Sequence, residues 1–492
     1  MLNRFFHSVI DNPRATLFIV FIITFVLALS IPKLKIDFSI EHLFSKNDPS
    51  VEKYFSFRDT FGREDNVITI IYKPYNIYDK NLYAQLEELT YKIEDLNGVE
   101  NIASIFTLSD IDENAWLGDL HNDTSDWNEK NITKKLEYIQ QDPSIGSRVL
   151  SKDLQYGTII VALKDNSNNH KSRTALLEEI KQLTPNQFAE WTFSGVSVLR
   201  SEYVSYMLRD NFLFLPPIAF LLISILTFVF RNWVYVFLPM LTVLITVIWL
   251  LGIMGLAGLE INIMTYIVPT LLFIIGIGDA IHIQARFREN FLMTPSNPKQ
   301  AMFQTMSQMS RVIFLTSITT SIGFLALMTT SIKIVQEFGM EISIGVMIAW
   351  LVSILVVPSG IIFSGKFHVE KKDFFLPGLS WLSNTIPKNP WMFILIPSII
   401  VITCTYKIKD ISTNSSLMDD LRPENKLYQD LKLTEKYFGG VLPFEVLIKT
   451  NEQRNDKNIL IPNQQILEIS KKVEDLLKSE LKNSRFFSIN DL

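Results

Sequence analysis

Apolar residues fall along this chain in long uninterrupted runs set apart by polar stretches. The first run, ATLFIVFIITFVLALSI at residues 15–31, approaches the roughly 20 helical residues needed to cross a hydrocarbon core about 30 Å thick. Further runs lie at 212–230, 234–257, 263–284, 312–330, 340–364 and 391–406, so the pattern predicts seven membrane spans. No small-x-small cleavage site follows the first run. Pro32-Lys33-Leu34-Lys35 comes instead, and the run reads as an uncleaved anchor.

Between the first and second runs the periodicity changes. Val67–Tyr72, Thr158–Leu163 and Trp191–Phe193 are rich in β-branched and aromatic residues, the composition of strands. Residues 81–96, NLYAQLEELTYKIEDL, repeat Leu at helical spacing behind Asp79, a candidate cap, and residues 173–183 read likewise. Strands alternating with amphipathic helices predict an α+β layer. Residues 108–150, rich in Asp, Asn and Trp, carry the weakest pattern.

Lys and Arg in the short connections set an orientation, because positive charge is retained on the cytoplasmic side. Arg4, Arg14, Arg231, Arg286, Arg288, Lys299, Arg311, Lys366, Lys371, Lys372 and Lys388 all fall on one side if the N-terminus is cytoplasmic. The short connections on the other side hold Glu260 in one and Lys333 with Glu337 in the other. The expected organisation is a cytoplasmic N-terminus and first span at 1–31 and an extracytoplasmic α+β domain at 32–211. A five-helix membrane bundle follows at 212–364, then a cytoplasmic linker at 365–390, a seventh span at 391–406 and the start of a second extracytoplasmic domain at 407–492.

Composition agrees with a membrane protein. The 492 residues are 48% hydrophobic and 20% charged, with 35 Phe, too apolar for several ordinary soluble domains. A net charge of −5 offers no basic surface for a nucleic-acid backbone, so nucleic acid is not expected as a partner. Cys404 is the single cysteine and the six His are scattered, so no disulfide, zinc site or other cofactor is expected. No nucleophile–base pair or phosphate loop appears, which argues against an enzyme.

An internal repeat stands out. Asn12-Pro13 before the first span recurs as Asn389-Pro390 before the seventh, and Phe61-Gly62 recurs as Phe438-Gly439, both at an offset of 377 residues. Between these anchors each copy runs from a span through a short polar stretch, Asp37–Ile40 or Asn414–Leu417, to an amphipathic helix. On this reading the chain holds one copy and the beginning of another, and the missing half is supplied from elsewhere, by a following reading frame or by self-association.

The candidate chemistry lies in the fourth span. A charge inside the bilayer costs at least about 2.5 kcal/mol on insertion scales, so it usually has a reason to be there. Asp279 lies in Gly276-Ile277-Gly278-Asp279-Ala280-Ile281-His282, about 10 Å of helix before Arg286. His282 follows on roughly the same face, and Gly276 and Gly278 permit close helix approach. Thr316, Ser317, Thr319, Thr320 and Ser321 crowd one stretch of the fifth span and offer hydroxyls able to receive or pass a proton. A plain packing role, Asp279 bonding a hydroxyl across the helix interface and His282 reaching toward head-groups, accounts for the same residues.

The run Leu315–Leu327 with Gly323, followed by Glu337-Phe338-Gly339 and Val357-Pro358, resembles the fifth and sixth spans of resistance-nodulation-division exporters, and Gly-x-Gly-Asp-x-x-His resembles their fourth. The likeness is to the MMPL-type branch, whose membrane core is also the sterol-sensing-domain fold of Patched-like proteins. It implies a polytopic α-helical protein of the inner membrane that exports hydrophobic or lipid-like molecules by proton antiport. The relay would be Asp279, with His282, Thr319 and Thr320 as weaker candidates and Gly276, Gly278 and Gly323 as packing positions. Many relatives place an aromatic after the acid and a His four residues on. Ala280 and His282 depart from that, which implies a different relay geometry. Full members have two complete halves, so an inactive fragment stays open. So do a lipid-binding receptor or scaffold that does not pump and, less favoured, a protein-translocation accessory.

Overall fold

In the lipid interior every backbone amide must be paired within the chain, which makes continuous helices of the apolar runs. The computed structural model describes residues 2–36, 45, 48–61, 63, 66–107, 129–141, 146–164, 170–365, 367, 381, 383–410, 421–440, 468–473 and 476. Among these, seven helices are long and apolar enough to cross a membrane: Pro13–Lys33, Val196–Phe230, Trp233–Ala257, Thr265–Met293, Pro298–Thr329, Lys333–Ser364 and Pro390–Asp410. The protein is a multi-pass α-helical membrane protein. The second, fifth and sixth helices begin before their apolar runs do, because flanking polar residues such as Arg200, Glu202 and Gln304 continue a helix once it is nucleated.

Two compact units make up the chain, Met1–Asp48 with Tyr206–Ser415 and Pro49–Ser205 with Ser416–Leu492. In the first, the sixth span packs on the first, third, fourth and fifth, and the third also packs on the first and fourth. Tyr235, Leu238, Leu250, Leu272, Ile283, Ile342, Val352 and Val357 belong to its continuous core. The second span meets the third and fourth through Leu226, Val236, Val243, Phe273 and Ile277. No side chain of the seventh span is buried.

Residues 32–48, expected at the start of the inserted domain, group with the spans instead. Strand β1 (Lys35–Ile36) pairs in parallel with Glu260–Ile261, which follows the third span. Further on, Ser45 bridges Ile332 and its hydroxyl donates to Ser331 Oγ at 2.7 Å. The polar stretches at 37–40 and 414–417, Gly62, most of 108–150 and most of the 365–390 linker lie outside the described residues.

The second unit is built on an antiparallel sheet of β2 (Val67–Pro74), β3 (Val99–Ala103), β4 (Gly157–Leu163) and β5 (Ala189–Ser194), in the order β3-β4-β2-β5. Ile68, Ile70, Ile159 and Val161 of the sheet share one core with Leu82, Leu86, Leu89 and Ile93 of helix Lys80–Glu94 and Leu176, Leu177 and Ile180 of helix His170–Leu183. The 4-3-4 spacing of the first set puts it on one helix face. Asp79 caps that helix as its sequence suggests, accepting from the Asn81 backbone N–H at 2.9 Å. Gly195, at φ +104°, turns β5 into the next helix, where a side chain would also meet the Val67 carbonyl.

The described part of the segment after Ser416 groups with this same sheet, not with a second one. Helix Lys426–Phe438 buries Leu427, Leu431 and Thr434 and packs on β5. Thr434 donates to Ser194 Oγ at 2.7 Å, and the Tyr437 ring lies 4.2 Å from that of Tyr156. Burial pushes the nearby Asp430 carboxyl up to about 6; Lys426 pulls it back, Glu202 adds to the rise and Lys181 opposes it. An acid raised above its unfolded value favours the docked state while protonated, so docking is firmest below about pH 4 and weakens as pH rises through 6. Amide exchange within 426–438, corrected for intrinsic rates, is expected to speed up across that window and to lose the dependence in Asp430→Asn. An equally steep dependence in the variant would show that another group is responsible.

Candidate functional site

An acidic residue in a transmembrane helix is tolerated where it turns from lipid and finds a partner. Asp279 lies in helix Val268–Met293, with Ala280 after it fully buried. Ser317 of the fifth span, 4% exposed, donates its hydroxyl to Asp279 Oδ2 at 3.2 Å. One turn further along the same face, Ser321 hydrogen-bonds Ser343 of the sixth span, both buried. Asp279 thus meets one buried serine hydroxyl, and a second buried pair lies one turn further along the fifth span; each of these hydroxyls can accept and donate a proton.

Other residues read from the sequence are placed differently. Thr319 donates to the carbonyls of Leu315 and Thr316, and Thr320 to that of Thr316, so both close on their own helix instead of meeting the acid. The cause is helical phase: Ser317 and Ser321, four apart, share the inward face, whereas Thr319 is half a turn round. His282 is exposed on the helix surface. Gly276 is a packing position, where a Cβ would lie 3.4 Å from Ala349 Cβ and 3.7 Å from Val243 Cγ2. Gly278 and Gly323 are not, since a Cβ on either would meet nothing within 4 Å. The glycines that admit a neighbour closely are instead Gly252, Gly255, Gly339, Gly345 and Gly360.

Several polar residues in the bundle were missed by reading the sequence. Glu341 of the sixth span is 1% exposed with Oε2 unpaired, and Gln284 of the fourth is fully buried with both amide atoms unpaired. The hydroxyls of Ser353 and Ser359 are buried without partners as well. The signal for Glu341 was present: Lys333, Glu337 and Glu341 recur every four residues, which carries one charged face into an otherwise apolar helix. Among the described residues no three His, Cys, Asp or Glu side chains converge as a metal site requires.

The model of the MMPL family matches residues 56–391, taking in most of the α+β unit and the five-span block that holds Asp279. The chain belongs to the MMPL family. Among relatives of this MMPL protein, a Methanocaldococcus jannaschii protein named as a membrane protein is 24% identical over 380 residues, 74% of this chain and 93% of the relative. Two mycobacterial proteins are named as probable transport proteins. MmpL10 of Mycobacterium leprae is 22% identical over 48% of this chain, and MmpL8 of Mycobacterium bovis 23% identical over 46%. The matched region is 25% and 21% of those two proteins, so this MMPL chain aligns with nearly the whole archaeal relative but with about a quarter or less of the mycobacterial ones.

Proposed function

We propose that this MMPL-family membrane transporter exports hydrophobic or lipid-like molecules across the inner membrane, driven by the proton gradient, with Asp279 as the carrier of the coupled proton. The N-terminus is cytoplasmic in this reading, and residues 32–211 and 407–492 are extracytoplasmic. The observation that carries it is the hydrogen bond from Ser317 to the Asp279 carboxylate within an apolar span, with the buried Ser321–Ser343 pair one turn further along the fifth span. Magnitudes support coupling at this depth. A charge at mid-span costs about 2.5–3.5 kcal/mol on insertion scales, and a membrane potential supplies about 2.3 kcal/mol per elementary charge per 100 mV. The two are of comparable size.

The mycobacterial relatives' names as transport proteins favour transport over a lipid-binding scaffold. Protein reconstituted into vesicles with a fluorescent lipid tests the reading. Transfer is expected to follow an imposed pH difference and to stop when a protonophore collapses it. Lipid binding that persists with no gradient-dependent transfer would replace the transporter reading with that of a lipid receptor or scaffold.

A further inference from the structure

The bundle holds a second carboxyl that the mechanism above does not use. Glu341 lies on the sixth span, and its neighbours differ on its two sides along the helix axis. Toward the start of the span the surroundings are polar. Glu337, one turn before it, accepts from the Asn262 side-chain amide at 2.8 Å and has Lys333 Nζ at 3.6 Å. Asn262 Oδ1 in turn takes the backbone N–H groups of Met264 and Thr265, and this fixes the turn ahead of the fourth span against that level. Further into the span the surroundings are apolar. A Cβ at Gly345 would meet the Leu272 side chain at 2.7 Å and that of Leu250 at 3.2 Å. Glu341 therefore sits at the inner limit of a polar entrance, closed behind by leucines.

Buried polar atoms are nearly always satisfied, and each exception calls for an explanation. Glu341 Oε2 is such an exception in a side chain 1% exposed. A structural carboxylate in the same place would be expected to hold a cation or a hydrogen-bond donor on each oxygen. An oxygen that nothing else occupies is free to take up and give back a proton.

We propose that Glu341 is a second proton-binding station of the transport cycle, distinct from Asp279 and reached from the end of the bundle that carries Lys333 and Glu337. The assignment rests on the proton-driven reading above. Leu272 faces Gly345 and Gly276 faces Ala349, an offset of 73 residues between the parallel fourth and sixth spans that sets Asp279 level with Val352. Glu341 is eleven residues earlier, roughly 16 Å along the axis at 1.5 Å per residue. That is too far for one transfer, so the two acids are separate stations. Between their levels lie two separate hydroxyl contacts, Ser317 with Asp279 and Ser321 with Ser343.

Infrared difference spectroscopy on vesicle-reconstituted protein, titrated from acid to alkaline buffer, reads protonation at Glu341 whether or not export is gradient-driven. Loss of one carboxylic C=O band in Glu341→Gln is expected, with the band shifted but kept in Glu341→Asp and unchanged in Asp279→Asn. Since the Asp variant keeps the acid, it separates the loss of a proton site from a failure to fold. A full set of bands in Glu341→Gln would overturn the assignment. So would a band that responds to sodium at fixed pH, which would make the site one for a metal cation.

Discussion

Asp279→Asn is expected to bring gradient-driven lipid transfer down to the level of empty vesicles while the protein still inserts and folds. The amide is nearly the same size as the carboxyl and can still accept from the Ser317 hydroxyl, so the contact at 3.2 Å survives. Only the ability to take and release a proton is lost, and an uncharged side chain is if anything easier to place in the bilayer. Ser317→Ala, which keeps the acid and removes its partner, is expected to slow transfer without abolishing it. Gly278→Ala, next to the acid but facing open space, should change little. Membrane-fraction yield, thermal melting and the transfer assay together separate these outcomes. Gradient-dependent transfer by Asp279→Asn at the wild-type rate would make the residue structural and remove the basis of the proton-coupled reading.

The second large effect concerns stability. The first span lies against the third at two glycines one turn apart: a Cβ at Gly252 would be 2.6 Å from both Leu27 Cβ and the Leu27 carbonyl oxygen, and one at Gly255 would run into the Ser30 carbonyl oxygen. Backbone oxygens cannot swing aside as a side-chain tip can. Gly255→Val must therefore push the two helices apart, straining the hydrogen bond from Trp249 Nε1 to Thr24 Oγ1 at 2.8 Å and unpacking Val20 and Leu27 from the core. Overpacking of this kind costs about 1–3 kcal/mol where side chains can adjust, and more is expected here. The detergent-solubilised variant should melt at a clearly lower temperature than wild type, with Gly278→Ala as the unaffected control. Equal melting temperatures for both variants would mean that the first span is not held by this contact.

Much of the architecture could be read in the amino acids because the decisive signals are local. Twenty apolar residues in a row have few alternatives, and the Leu repeat behind Asp79 specifies a helix and its start together. The repeat also left a structural trace. Asn12 and Asn389 precede helices that both begin at proline, with nearly the same backbone angles, φ −118° and −134° at an equal ψ of 58°. Helices Pro49–Phe61 and Lys426–Phe438 have the same length at the same 377-residue offset.

The signals that failed depend on distant partners. Strand β3, Val-Glu-Asn-Ile-Ala, has no strict alternation and forms because β4 offers it an edge. The β1 pairing joins residues more than two hundred positions apart, and nothing in Lys35-Ile36 announces it. Composition marked the fifth-span hydroxyls and the small residues of the fourth, but which of them face a neighbour depends on rotational phase. Ser317 was therefore engaged where Thr319 and Thr320 were favoured, and Gly276 packs where Gly278 and Gly323 do not. Glu341 escaped because one acid hardly changes the mean hydropathy of a helix that long.

The small ribbon of Lys35–Ile36 with Glu260–Ile261 and the Ser45 contacts to Ser331 and Ile332 tie three connections together at the same end of the bundle. The segment after the first span is thereby stitched to the turn between the third and fourth and to the turn between the fifth and sixth. Spans laced together there cannot slide past one another at that end. The opposite end has a clasp of its own, helix Leu2–Asp11 lying on the fifth and sixth spans with Lys299 on Asp11 and Arg286 on Gln308, so the bundle is cinched at both rims and its give is left to the stretch between them.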